Sequence, residues 1–272
     1  MLPKNETRVF PALLRHWRTR RGMSQLDLGL AANVSARHVS FLETARAAPS
    51  REMVLRLAST LQVPLRDQNV LLRASGFADV WAEPEVGPGG LPKPILAAID
   101  RMLDKHEPYP MTVLDRSYNV TRANRGGTAL LSRFVAKPEK LAGTLNVFAL
   151  LFDPDLARPF MVDWERVAHS LVARLHREVL ASPEDGALAG LLASLFRYPG
   201  VPESFRVPDF SVEDEPVLTL RLRRDDVALA FLTTVTAFNA PQNVTLEELR
   251  LESYFPLDEA TEAHCAAVAS AT

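Results

Sequence analysis

Ser24-Gln25-Leu26-Asp27-Leu28-Gly29-Leu30-Ala31-Ala32-Asn33-Val34-Ser35-Ala36-Arg37-His38-Val39-Ser40-Phe41-Leu42-Glu43 reads as two short helices joined by a tight turn. Ser24 is an N-cap with Asp27 three residues on, a relative of the reciprocal capping pair, and Leu28 and Ala32 continue the inner face of the helix it starts. Asn33 is one of the few non-glycine residues that tolerate positive φ, so the chain reverses there before Ser35 caps the next helix. Val39 and Leu42 turn that helix inward. Ala36, Arg37, Ser40 and Phe41 are left facing out.

Working outward from this pair, Phe10, Leu13, Leu14 and Trp17 fall at i, i+3, i+4 and i+7 between Val9 and Arg21, one stripe of a helix that Gly22 ends. After the loop Thr44 to Pro49, Ser50 caps a fourth helix with Val54, Leu57, Ala58 and Leu61 at core spacing, and Pro64 breaks it. A fifth, Leu65 to Ser75, carries Val70, Leu71 and Ala74 inward and stops at Gly76. Five short helices match the size of a small DNA-binding domain.

Charge supports the same partner. The chain of 272 residues holds 31 Lys plus Arg against 33 Asp plus Glu, yet residues 1–80 carry 12 basic and 6 acidic side chains while residues 81–272 carry 19 and 27. The basic third favours phosphate contacts and counterion release. A single cysteine, Cys265, excludes a disulfide framework and sits in a run of alanines as a buried or incidental thiol. With no apolar run of membrane-spanning length and no signal-peptide core in Met1 to Phe10, the expected setting is cytoplasmic, with no membrane partner.

Residues 81–94 contain Pro84, Pro88, Pro92 and Pro94 with Gly87, Gly89 and Gly90, a density of breakers that reads as a linker between domains 1–80 and 95–272. Beyond it, Ile95, Ala98, Ile99, Met102 and Leu103 mark an amphipathic helix. Pro110 to Leu114 and Tyr118 to Ala123 form a hairpin, and Asn124 caps the helix through Leu130 and Leu131. Trp164 to Leu180 and the run around Leu188, Leu191, Leu192 and Leu195 are helical. Leu218 to Leu222, Val227 to Phe238 and Glu248 to Phe255 then alternate as hairpin-linked strands. Two strands, several helices and three strands together resemble a PAS-like sensor. The expected fold is an all-α five-helix helix-turn-helix domain followed by an α+β PAS-like domain with a five-stranded antiparallel sheet.

The N-terminal residues, in particular Ser24 to Leu28, Asn33-Val34-Ser35, Val39 to Glu43 and Pro49, resemble the helix-turn-helix domain of phage repressors and Xre-type regulators over residues 8–75. Gly29 stands where that family has a small alanine and Asn33 where it has a turn glycine; Ala45-Arg46-Ala47-Ala48 replaces a loop that is usually glycine-containing and more basic. Such a domain lays its third helix, here capped by Ser35, in the major groove. Arg37 is the candidate for base readout, since a guanidinium can donate two hydrogen bonds to guanine. Ser40 is a less discriminating donor, and Ala36 can pack on a thymine methyl. The resemblance gives Gln25 a phosphate and Glu43 a bond within the domain, and Arg46 and Arg51 are further phosphate contacts.

His106 to Pro110, Asn119 to Asn124, Arg158-Pro159-Phe160, Tyr198 to Pro202, Pro241 to Leu249 and Glu252-Ser253-Tyr254-Phe255-Pro256 resemble the ligand-binding domain of MmyB-type regulators. That resemblance implies an apolar cavity associated with a long-chain fatty acid. Candidate lining residues are Phe148, Phe152, Phe160, Trp164, Phe231 and Phe238, with Tyr109, Arg122, Asn124 and Arg221 as polar anchors for a carboxylate. Arg122 is the first choice. His106, His169, His176 and His264 lack a spacing that gathers metal ligands, and there is no phosphate-cradling glycine loop or nucleophile elbow, so neither a metal site nor an enzyme is expected. The expected partners are double-stranded DNA, a fatty acid or similar apolar ligand as the one bound group, and a second copy of the chain. The competing expectation is a C-terminal domain that mediates dimerisation or protein contacts without a ligand.

Overall fold

The computed structural model describes residues 9–85, 90–141, 143–181, 185–208, 218–239 and 242–270. Two compact units emerge, one of residues 1–84 with 240–247 and one of residues 85–239 with 248–272. Gly87, Pro88, Gly89 and Pro241 lie outside the described residues.

The first unit is built from α1 (Val9–Arg20), α2 (Gln25–Ala31), α3 (Ala36–Glu43), α4 (Arg51–Thr60) and α5 (Leu65–Ala74). Ser24 and Asp27 close the reciprocal cap of α2, Ser24 Oγ accepting from the Asp27 N–H at 3.1 Å and Asp27 Oδ2 from the Ser24 N–H at 2.8 Å. Asn33 takes φ 54° at the reversal, and Ser35 and Ser50 cap α3 and α4. Phe10, Leu14, Trp17, Leu28, Val39, Leu42, Val54 and Leu57 form the core. Gly29 sets the closeness of α2 to the start of α3, because a Cβ there would stand 2.8 Å from the Val34 carbonyl oxygen. The inner face of α5 is partly polar: Asp67, Gln68 and Asn69 are buried and Val70 only half-buried. Gln68 Oε1 accepts from the Trp81 indole at 2.9 Å, and Asn69 accepts from the Trp81 N–H at 3.1 Å. Glu247 Oε2 accepts from the Leu65 N–H at 2.7 Å and thereby caps α5, where Pro64 offers no side-chain cap.

The second unit runs α6 (Lys93–His106), β1 (Met111–Leu114), β2 (Val120–Ala123), α7 (Arg125–Arg133), α8 (Val147–Phe152), α9 (Trp164–Ala181), α10 (Gly186–Leu195), β3 (Thr219–Arg224) and β4 (Val227–Thr236). After α11 (Val244–Glu248), which straddles the division, come β5 (Arg250–Pro256) and α12 (Glu259–Ser270). The five strands form one antiparallel sheet in the order β2-β1-β5-β4-β3, so the last strand in sequence is the central one. Phe148, Phe152, Val167, Leu171, Leu175, Leu220, Leu222 and Phe231 join the sheet to α8 and α9 in one core.

Several boundaries differ from the sequence reading, among them that of β2, which starts at Val120 rather than at Tyr118, where φ is 64°. α6 starts at Lys93, inside the stretch read as linker, because Pro92 and Pro94 occupy the first turn, where no amide donor is needed. β4 ends at Thr236, short of Phe238, and β5 starts at Arg250 because α11 takes the chain to Glu248.

Candidate functional site

In the first unit, Ser35, Ala36, Arg37 and Ser40 share one short helix. Ser35 Oγ is occupied as the cap, accepting from the His38 N–H at 3.1 Å. Arg37 is exposed, with its guanidinium carbon 5.2 Å from the centroid of the Phe41 ring. A guanidinium stacked in this way keeps its in-plane donors free to reach a base edge. Arg46 and Arg51 are exposed as well, and Ala45, just before Arg46, holds φ 56°. This is the left-handed conformation that glycine adopts most readily, in the loop where the resembling family usually has one.

Below this surface lies a three-way polar brace. Glu43, at the end of α3, accepts from Arg18 Nε at 2.6 Å, Arg18 Nη2 at 3.0 Å and Gln25 Nε2 at 2.8 Å. Arg18 Nη1 also donates to the Met23 carbonyl at 2.7 Å. Gln25 is therefore held against α3 from the first position of α2, and Glu43 bonds within the domain as the resemblance implied.

In the second unit, a largely enclosed cavity of about 70 Å³ lies between the sheet and α7, α8 and α9. Its walls are mainly apolar, Leu130, Leu151, Leu171 and Leu220 among them, and Thr112, Thr233, Glu252 and Tyr254 are its polar members. Thr112 and Glu252 are direct cross-strand partners on β1 and β5, and Tyr254 stands two residues further along the same face. The Tyr254 hydroxyl donates to Glu252 Oε2 at 2.9 Å. Thr112 Oγ1 is buried and makes no hydrogen bond. Burial pushes the pKa of both Glu252 and Tyr254 up. Arg174 and Arg250 pull Glu252 the other way, but both are engaged by Glu178, at 3.2 and 2.9 Å.

Leu130 and Phe134 also line a wider groove of about 730 Å³ bounded by α7, β4 and α12, with Phe231 and Cys265 on its wall. Burial pushes the Cys265 thiol up to about 11, which keeps it protonated and a poor nucleophile near neutral pH.

The residues singled out from the sequence fall elsewhere. Arg122 pairs with Val113 in register, one residue out of phase with Thr112 and Ala123, so it projects from the opposite face of the sheet, where it meets Asp100. Arg221 is out of phase with Leu220 and Leu222 in the same way, and stands 3.8 Å from Asp163. Asn124 caps α7, accepting from the Gly127 and Met111 N–H groups at 2.8 and 2.9 Å. The Tyr109 hydroxyl donates to Glu262 at 3.0 Å. Phe148 and Phe152 are fully buried in the core. Trp164 donates its indole N–H to the Leu151 carbonyl at 2.8 Å, and Phe160 packs edge-on to Phe134. Phe231 reaches the groove, and Phe238 lies beyond the end of β4. The cavity wall contains none of these side chains. The void lies chiefly among aliphatic side chains, with Phe134 on its wall beside the threonines and the acid–phenol pair. Along β5, Arg250, Glu252 and Tyr254 share one face and Leu251 and Ser253 the other, a period that the sequence shows without marking the first face as a cavity wall.

Among the described residues no helix is long and apolar enough to cross a membrane. No curated protein matches the chain. Among solved structures it is similar to the "Structure of an RNA-binding Light-Oxygen-Voltage Receptor" at 16% identity and a TM-score of 0.28, over 96% of this chain and 58% of that one. Residues 14–68 match a helix-turn-helix family. Residues 95–267, well over half of the length, match the MmyB-like transcription regulator ligand binding domain, and the chain belongs to the MmyB-like transcription regulators.

Proposed function

We propose that the chain is a cytoplasmic, sequence-specific regulator that pairs as a homodimer on double-stranded DNA and senses a small apolar ligand, a fatty acid or similar lipid, in its C-terminal domain. The observation that carries this reading is the combination of an exposed, arginine-bearing α3 in one unit with a lined apolar cavity in the other. One such helix contacts only a short half-site, and two-fold pairing doubles the sequence that is read.

Arg37→Ala is expected to weaken binding at the preferred site by about 1–3 kcal/mol and to relax base choice at one position, with little change on random DNA. Fluorescence anisotropy on a duplex selected from a random pool, beside a scrambled duplex, measures both. Equal losses on the two duplexes would remove Arg37 from base readout.

For the ligand, the cavity of about 70 Å³ is roughly half the size of an engineered ~150 Å³ cavity that admits benzene, too small for a long acyl chain. A longer chain therefore has to displace the wall formed by Leu130 and Phe134 and extend into the adjoining groove. Each methylene buried contributes about 0.8 kcal/mol, close to a fourfold gain in affinity, until that wall stops yielding. Calorimetric titration of the full chain with straight-chain acids of increasing length is expected to show this rise and then a plateau. A flat series would leave the C-terminal domain with dimerisation or protein contacts as its role.

A further inference from the structure

We propose that the Phe41 ring is a second reading element of α3, packing on the 5-methyl group of a thymine within two base pairs of the guanine that Arg37 meets. This rests on the base-reading role proposed above for α3 and specifies what stands beside the guanine.

Val39 and Leu42, from the same helix, are buried in the core of the first unit, and among the described residues the half-buried apolar side chains that pack on that core do not include Phe41. Phe41 is itself half-buried and stands on the outward face of α3 with Ala36, Arg37 and Ser40. Its ring lies against the Arg37 guanidinium, whose carbon is 5.2 Å from the ring centroid. Residues four apart stand one above the other on a helix, so the two side chains share one strip of that face. A single exposed aromatic is ordinary on most surfaces. Here it occupies the face that a helix of this kind turns toward the base edges.

Thymine is the one base whose major-groove edge carries a methyl group, and an aromatic ring buries that methyl without needing a donor or acceptor. Cytosine or adenine in the same place would turn an amine toward the ring and leave it without a partner. The ring therefore rejects as well as selects. From Arg37 to Phe41 the helix rises about 6 Å, less than two base steps of about 3.4 Å, which sets how far the thymine can stand from the guanine. The stack also serves Arg37: a guanidinium already held against a ring loses less freedom when its donors engage a base. A phosphate gains nothing from an aromatic ring, so Phe41 adds no affinity for random DNA.

The test uses the full chain, fluorescence anisotropy and the duplex selected from a random pool. That duplex is expected to hold a thymine within two base pairs of the guanine at which Arg37→Ala relaxes base choice. Replacing this thymine by uracil removes only the methyl group and is expected to weaken binding about fourfold, the contribution of one buried group of that size. Uracil at thymines further away is expected to change nothing. In Phe41→Ala the same replacement is expected to make less than about a 1.5-fold difference, because the partner of the methyl is already gone. Binding of that variant to a scrambled duplex is expected to stay at the parent level, which also shows that it is folded. A uracil duplex bound by the parent chain as tightly as the thymine duplex would overturn the proposal without any variant having to fold. A fourfold uracil effect that persists in Phe41→Ala, or a selected duplex with no thymine in reach, would overturn it too. Equal binding of the parent chain to selected and scrambled duplexes would instead remove base reading by α3 itself, and this proposal with it.

Discussion

Glu43→Ala is expected to destabilise the N-terminal unit by about 3–5 kcal/mol, the range found when one partner of a buried ion pair is removed. The Glu43 side chain is 3% exposed and its Arg18 partner 11%, so water cannot take over the missing contacts. After the change the Arg18 guanidinium keeps, among the described residues, the Met23 carbonyl as its acceptor, and the Gln25 amide loses its bond to Glu43. Three helices lose their brace at once, because Arg18 comes from α1, Gln25 from α2 and Glu43 from α3. Hydrogen exchange in the full chain, followed separately for α1–α5 and for the sheet, measures the loss where it falls. Protection is expected to drop throughout α1–α5 and to hold in β1 and β5. A loss under about 1 kcal/mol would class the pair with solvent-screened surface bridges. DNA binding is expected to weaken in parallel, because Gln25 and α3 are held in place through the same carboxylate.

The first unit was legible in the sequence because its signals are local. Ser24, Ser35 and Ser50 each cap a helix within three residues, Asn33 supplies the left-handed turn, and Gly22 and Gly76 take positive φ where helices stop. No long-range information is needed to read such marks. The five strands were legible as alternating runs, but which residues face the cavity was not. A one-residue change of phase moves a side chain to the other face of the sheet, which is how Arg122 and Arg221 come to point away from the leucines. The polar wall was hidden for a different reason. Glu252 lies deep only because β5 pairs with both β1 and β4, and that central place is set by strand order rather than by any neighbour in sequence. α8 was missed because Val147-Phe148-Ala149-Leu150-Leu151-Phe152 is apolar throughout and carries no period. In α12 a run of alanines blurs the stripe instead.

Phe148→Ala is expected to cost the C-terminal unit about 3–5 kcal/mol, the range for an aromatic removed from a packed core. Phe148 is 0% exposed, its ring stands edge-on to Tyr118 at 4.7 Å between centroids, and Phe152 lies 6.2 Å away. Pairs of this kind contribute about 0.5–1.5 kcal/mol beyond burial, and here the partner ring is itself anchored, its hydroxyl donating to Glu178 at 2.7 Å. The truncation therefore opens a void and loosens the ring on which Arg250 is stacked. Relaxation is limited, because Phe152 is held by Trp164 on its other side, 5.7 Å away and edge-on. Urea denaturation of the full chain, read by the protection of β1 and β5, gives the loss, and Phe148→Leu is expected to recover more than half of it by refilling most of the volume. The pair of variants also separates packing from ligand contact. Phe148 does not line the cavity, so in a Phe148→Leu chain that still folds, affinity for an apolar ligand is expected to stay within about threefold of the parent while stability falls. A large loss of affinity with little loss of stability would move Phe148 from the core to the ligand wall.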